Sequence, residues 1–297
     1  MKHGGRLTET SVSNSDQVAE AHRVADANGV VVPVEHDRPE TEDLTPERTF
    51  RRSVGEGRRR LGRGTLAMAS TGLVGGIDVG TGVLGLLLVE QSTGSKLLGG
   101  LAFGIGFLAL ALARGELFTE DLLVPVTAVV ARKSRIRQLP RLWAVTGVTN
   151  LIGGWVITGF IVSGLPALKA TAIVDGQHYV NIGLGTRAFS LAVLGGTVIT
   201  LMTWMQHSTD SVGAKVVSAF AAAFLLVAGG LDHAIVASLV MFAALHTDHA
   251  PFGYLAWAET AAWATLGNLV GGLGLVTILR IFQVPHRVAA ERGRPEV

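Results

Sequence analysis

Two short polar runs interrupt otherwise apolar stretches of this chain. One carries Arg114, Glu116, Thr119, Glu120 and Asp121, the other Gly229, Gly230, Asp232 and His233. Ionisable groups at membrane depth are costly and mark solute or proton paths. An imidazole has an ordinary pKa of about 6.5, so His233 could exchange a proton near neutral pH or hold a positive field that draws anions inward. Glu120 and Asp121 begin a half-helix, where carboxylates cap free amides and complement the helix dipole. Glu116 could pair with nearby Arg114, and Asp232 reads as structural in the same way.

Catalysis finds less support. A membrane-embedded metalloenzyme would need several His, Asp or Glu side chains converging at depth, and only Asp232 with His233 and Glu116 with Glu120 and Asp121 are available. No catalytic residues, metal site or cofactor are expected. His246 and His249 have metal-ligand spacing, but Asp248 and Pro251 beside them indicate a solvated loop. Gly80, Gly82 and Gly85 spell GxGxxG inside an apolar helix with no preceding strand, so they read as packing glycines. The chain has no cysteine, which excludes disulfides and thiolate sites.

The elements that must position these residues are membrane helices. The sequence is 48% hydrophobic, with 38 glycines and a mean hydropathy of +0.43. A bilayer core takes about 20 apolar residues in a helix, and six stretches qualify: 66–89, 97–131, 142–164, 184–206, 214–246 and 256–283. The second and fifth are too long for one crossing and contain the two polar runs. Both therefore predict interrupted helices, whose non-helical backbone must face protein or a water-filled cavity. Gly72, Gly76 and Gly80 would let the first span approach a neighbour closely.

Residues 1–65 differ in kind: rich in charge, Ser and Thr, they predict a disordered tail outside the membrane. Residues 66–283 form the channel-like domain and 284–297 a second tail. Arg51, Arg52, Arg58, Arg59, Arg60 and Arg63 precede the first span, and Arg132, Lys133, Arg135, Arg137 and Arg141 separate the second from the third. Lys215 follows the fourth, and Arg280, Arg287, Arg292 and Arg294 follow the sixth. Every second connection is basic, which places both termini in the cytoplasm. Membrane topology accounts for this basicity, and no nucleic-acid partner is expected.

The two hydrophobic halves also repeat. Ala102-Phe103 and Phe107-Leu108 recur as Ala219-Phe220 and Phe224-Leu225, and Asn150-Leu-Ile-Gly-Gly154 recurs as Asn268-Leu-Val-Gly-Gly272. Duplicated membrane units commonly meet at a pseudo-two-fold axis, with the solute path where their interrupted helices face each other. The fold class expected is an all-α membrane protein of two inverted three-helix repeats. Asn150 and Asn268 read as residues that hydrogen-bond helix to helix.

These residues carry a specific resemblance. Gly100 through Phe118-Thr119 to Val130, with Glu-Leu-Phe-Thr in the break, resembles the formate/nitrite transporter family. So do Gly230-Leu-Asp-His-Ala-Ile235 and the two asparagines with their trailing glycine pairs. The resemblance covers roughly residues 60–285. It implies an aquaporin-like bundle of six helices, assembled as a homopentamer with one pore per subunit in the inner or plasma membrane. It further implies that His233 is the central pore histidine and Thr119 its hydrogen-bonding partner. Leu117 and Phe118 correspond to the loop's apolar gate, Phe103 and Leu226 to the outer constriction, and Phe107 to the inner one.

The chain also departs from the family pattern near these positions. Glu120-Asp121 replaces small or neutral residues. Gly196 and Ala237 stand where asparagines are usual, and the outer lysine has no evident counterpart, with His178 or Arg187 as substitutes. The expected function is passage of a small monovalent weak-acid anion, such as formate, nitrite, acetate, lactate or hydrosulfide. A bare anion loses much hydration in an apolar collar, whereas the protonated acid is neutral and loses far less. The alternatives are a pore for a neutral solute such as water or ammonia, and a non-transporting membrane sensor or scaffold.

Overall fold

The computed structural model describes residues 23–25, 31–33 and 45–293. Strands β1 (Arg23–Ala25) and β2 (Val31–Pro33) form a small antiparallel ladder with Val24 opposite Val32. They lie in a unit separate from the helical body, which begins at Leu44. The remainder of the expected tail up to residue 44, and residues 294–297, fall outside the described residues.

The body starts earlier than its composition suggests. Helix α1 (Pro46–Leu61) occupies part of the stretch expected to be a disordered tail. Its start is well specified: Thr45 Oγ1 accepts from Arg48 N at 3.3 Å and Pro46 sits in the first turn. Phe50, Val54 and Leu61 share one face with Gly57 and are all buried, so this helix has an apolar stripe of its own despite its charge. Gly57 is held against the backbone at Val124, where a Cβ would run into the Val124 carbonyl oxygen.

Then come α2 (Thr65–Thr93), α3 (Lys96–Ala113), α4 (Val124–Val130), α5 (Gln138–Gly164), α6 (Lys169–Ile182), α7 (Thr186–His207), α8 (Val212–Ala228), α9 (Ala234–Leu245), α10 (Tyr254–Phe282) and α11 (Pro285–Gly293). Five of these, α2, α3, α5, α7 and α10, are long and apolar enough to cross a membrane, while α8 and α9 are shorter apolar helices. Both long stretches are broken where the polar runs lie, leaving residues 114–123 between α3 and α4 and residues 229–233 between α8 and α9. Helix α6 lies between the third and fourth of the expected spans and packs mainly against α9.

The body turns apolar side chains outward as well as inward. Phe160 is 72% exposed and Leu255 75%, as expected where lipid rather than water surrounds a helix. Glycines set the closest helix pairs. A Cβ at Gly76 would strike the Asn150 carbonyl oxygen, and one at Gly196 would strike the backbone of Asn268. With this helix spacing no side chain fits at Gly196. It repeats Gly76 in the second half of the chain.

Candidate functional site: two helix breaks meeting at a histidine

The two breaks are built alike. Asn150 is buried on α5; its Nδ2 donates to Gly72 O (2.7 Å) and Glu116 O (2.8 Å), and its Oδ1 accepts from Phe118 N (2.8 Å). Asn268, on α10, donates to Ala192 O (2.8 Å) and Asp232 O (2.9 Å) and accepts from Ala234 N (2.9 Å). Each amide thus ties one helix carbonyl to the two residues flanking the centre of a break. Interrupting a helix strands backbone donors and acceptors, and these amides satisfy them where water is scarce.

The residues at the two centres are Leu117 and His233. Helix α8 closes through Gly230, which has a left-handed φ of +57°, with Leu231 N donating to Leu226 O at 2.9 Å. His233 then caps α9, its Nδ1 accepting from Val236 N at 3.2 Å. A ring nitrogen that accepts carries no proton. The neutral ring therefore holds its proton on Nε2, which lies 2.8 Å from Thr119 Oγ1 and donates to it. The Thr119 hydroxyl keeps its own proton free to donate. Both side chains are fully buried.

An apolar cluster surrounds this pair and contains all five residues assigned to constrictions: Leu117, Phe118, Phe103, Phe107 and Leu226. Phe103 and Phe107 meet edge to face with ring centroids 5.1 Å apart, an arrangement contributing about 1 kcal/mol beyond burial. The first break is pinned further by Trp143 Nε1 donating to Asp121 O (2.9 Å) and Thr277 Oγ1 to Leu122 O (2.9 Å).

The acidic residues sit differently from expectation. Glu116 reaches Arg63 and, at 3.3 Å, Arg60 rather than Arg114. Glu120 and Asp121 lie in a short 3₁₀ turn (Glu120–Leu122) and turn to Arg60, at 3.4 Å and 2.9 Å. Glu56 completes the set at 3.0 Å. One buried guanidinium from α1 therefore faces four carboxylates, three of them from the break. A cleft of about 460 Å³ opens beside this cluster, lined among others by Arg60, Leu110, Gly115, Glu116, Glu120 and Lys215. Asp232 is buried in the second break and its Oδ1 has no hydrogen-bond partner among the described residues. His178 packs against Gly230 rather than within reach of a described hydrogen-bond partner for its Nε2. His246 Nε2 bonds Trp155 O at 2.9 Å, and no metal-holding group exists among the described residues.

Sequence comparison agrees with this geometry. Residues 47–282 match the model of the formate/nitrite transporter family. The chain is 24% identical over 295 residues to the inner membrane protein YfdC of Escherichia coli, covering 94% of this chain and 90% of that protein. It is 24% identical over 246 residues to the formate channel BtFdhC of Bacillus thuringiensis, covering 78% and 92%. Among solved structures, an FNT family ion channel superposes with a TM-score of 0.70 at 18% identity, covering 80% of this chain and 99% of that one. A pentameric formate channel with formate bound superposes with a TM-score of 0.63 at 23% identity, covering 75% and 98%. This chain belongs to the formate/nitrite transporter family.

Proposed function

We propose that this protein is a membrane channel for small monovalent weak-acid anions of the formate and nitrite kind, and that the solute passes His233 in protonated, neutral form. The contact between Thr119 and His233 carries the reading: two fully buried polar side chains from two helix breaks meet at 2.8 Å inside an apolar cluster. With the histidine neutral and donating to Thr119, the threonine hydroxyl is left as a donor for an oxygen of the passing solute. Leu117, Phe118, Phe103, Phe107 and Leu226 form the apolar collar, which charges an anion heavily for lost hydration and a neutral acid little. Asn150 and Asn268 hold the breaks open to this path.

The assembly we propose is a homopentamer of six-span subunits, each with two inverted three-helix halves and its own pore, in the cytoplasmic membrane with both termini inside. The basic connections and the likeness to a pentameric channel support it. The family is one of transporters by name and BtFdhC is a formate channel by name, which supports transport rather than catalysis. The experiment is solute flux into proteoliposomes with formate, nitrite, acetate, hydrosulfide, ammonia or water, with and without an inward proton gradient, beside His233→Ala. Gradient-stimulated uptake of a weak acid, lost in the variant, is expected. Flux of ammonia or water alone, indifferent to the gradient and to His233, would replace this reading with a neutral-solute pore.

A further inference from the structure

Helix α4 ends in a turn with an unusual occupant. Lys133 N donates to Ala128 O (2.9 Å) and Arg132 N to Val129 O (3.0 Å), the paired bonds that close a helix through one left-handed residue. That residue is Arg132, at φ +60°. The same closure at the end of α8 uses Gly230, with Leu231 N to Leu226 O and Gly230 N to Val227 O. Glycine is the unstrained choice, so an arginine there keeps a strained backbone and gains only its side chain, and strain of this kind points to use.

The side chain stands in a basic cleft of about 430 Å³ lined by Arg58, Gly62, Arg132, Lys133, Ser134, Arg135 and Gln138, with no acidic residue among the described lining. The cleft is braced. Gln138 Oε1 accepts from Arg135 N at 2.7 Å while its Nε2 donates to Leu61 O at 3.2 Å, locking the loop to the end of α1. The side chains of Arg132 and Arg135 are exposed and make no hydrogen bond or ion pair with a described residue. Between Arg135 and Arg137, Ile136 is 68% exposed. An exposed isoleucine within a basic loop, where the apolar α5 begins, suits the boundary between headgroups and acyl chains better than open water.

We propose that this cleft binds the phosphate headgroup of an anionic phospholipid, with Arg132 and Arg135 on the phosphate and Ile136 among the acyl chains. The site is independent of the solute path. Arg132→Gly tests it without risk to folding, because glycine relieves the turn while removing the charge.

The full-length protein is melted in neutral detergent, alone and with added phosphatidylglycerol or phosphatidylcholine. Phosphatidylglycerol is expected to raise the midpoint above phosphatidylcholine. Arg132→Gly should melt no lower than wild type in detergent alone, yet keep less than half of the difference between the two lipids, as should Arg135→Gln. Arg287→Gln, exposed on α11, should keep all of it. The proposal is overturned if wild type does not distinguish the lipids, if the cleft variants retain the full difference, or if Arg287→Gln loses as much. It is equally overturned if millimolar glycerol 3-phosphate reproduces the whole effect, which would make the ligand a soluble phosphate.

Discussion

Thr119 and His233 lie 114 positions apart in the chain and 2.8 Å apart in space. The distance fixes more than proximity. Because Val236 N already occupies Nδ1, only the Nε2 tautomer satisfies both contacts, and Thr119 is the acceptor. Thr119→Val should strand the Nε2 proton in an apolar cluster, destabilising the protein by about 1–3 kcal/mol and lowering flux by about five- to a hundredfold, as expected for a lost transition-state contact of that size. Thr119→Ser keeps the oxygen and should keep most of the flux. Proteoliposome uptake beside a detergent melt checks both, and unimpaired uptake in the valine variant would remove Thr119 from the path.

Asn150 and Asn268 should behave as a matched pair. Each makes three buried hydrogen bonds, so Asn150→Ala and Asn268→Ala should each cost about 3 kcal/mol, given net bonds of about 1 kcal/mol apiece and stranded backbone groups. Thermal melts of the two variants should fall by similar amounts. A large drop in one and none in the other would break the equivalence of the two halves.

Arg60 is the third test. Removing it leaves Glu116, Glu120 and Asp121 buried with much of their countercharge gone, so Arg60→Met should destabilise by about 3–5 kcal/mol. Adding Glu120→Gln and Asp121→Asn to the same chain should recover a substantial part of the loss. If the double neutralisation recovers nothing, the ion cluster is not what Arg60 serves.

A pH dependence follows from Glu56, on α1. Its burial would raise the carboxyl pKa, but hydrogen bonds from Arg59 and Arg60 and their charges outweigh this and hold it at about 2. A depressed carboxyl pKa adds stability that is complete above the ordinary value of 4.5 and is lost as pH falls toward 2. Melting midpoints measured from pH 6 to pH 2.5 should therefore fall less steeply below pH 4.5 in Glu56→Gln than in wild type. Parallel curves would show that the ion pairs of Glu56 carry no net stability.

Much of the architecture could be read from the chain because its signals were local. Overlong apolar stretches with polar centres announced the breaks, and the repeated Asn-x-x-Gly-Gly marked the residues that now tie them together. Helix α1 was also legible in part: Thr45-Pro46-Glu47 is a helix start, and Phe50, Val54 and Leu61 share a face. The surrounding charge masked that stripe. Arg60 was not legible, since Arg58, Arg59, Arg60 and Arg63 look alike in sequence, and only the fold decides that Arg60 turns inward beneath the break. The strain at Arg132 was hidden for the same reason, as composition says nothing about φ.

The paired asparagines have one more consequence. They clasp Glu116 and Phe118 in one break and Asp232 and Ala234 in the other, so the residues held between them, Leu117 and His233, occupy corresponding places. A duplicated frame would by itself present the same face to either direction of travel. On the proposed path, an oily side chain at one of these stations and a proton-bearing ring at the other would give the passage a polarity, a solute approaching from opposite sides meeting the two in opposite order.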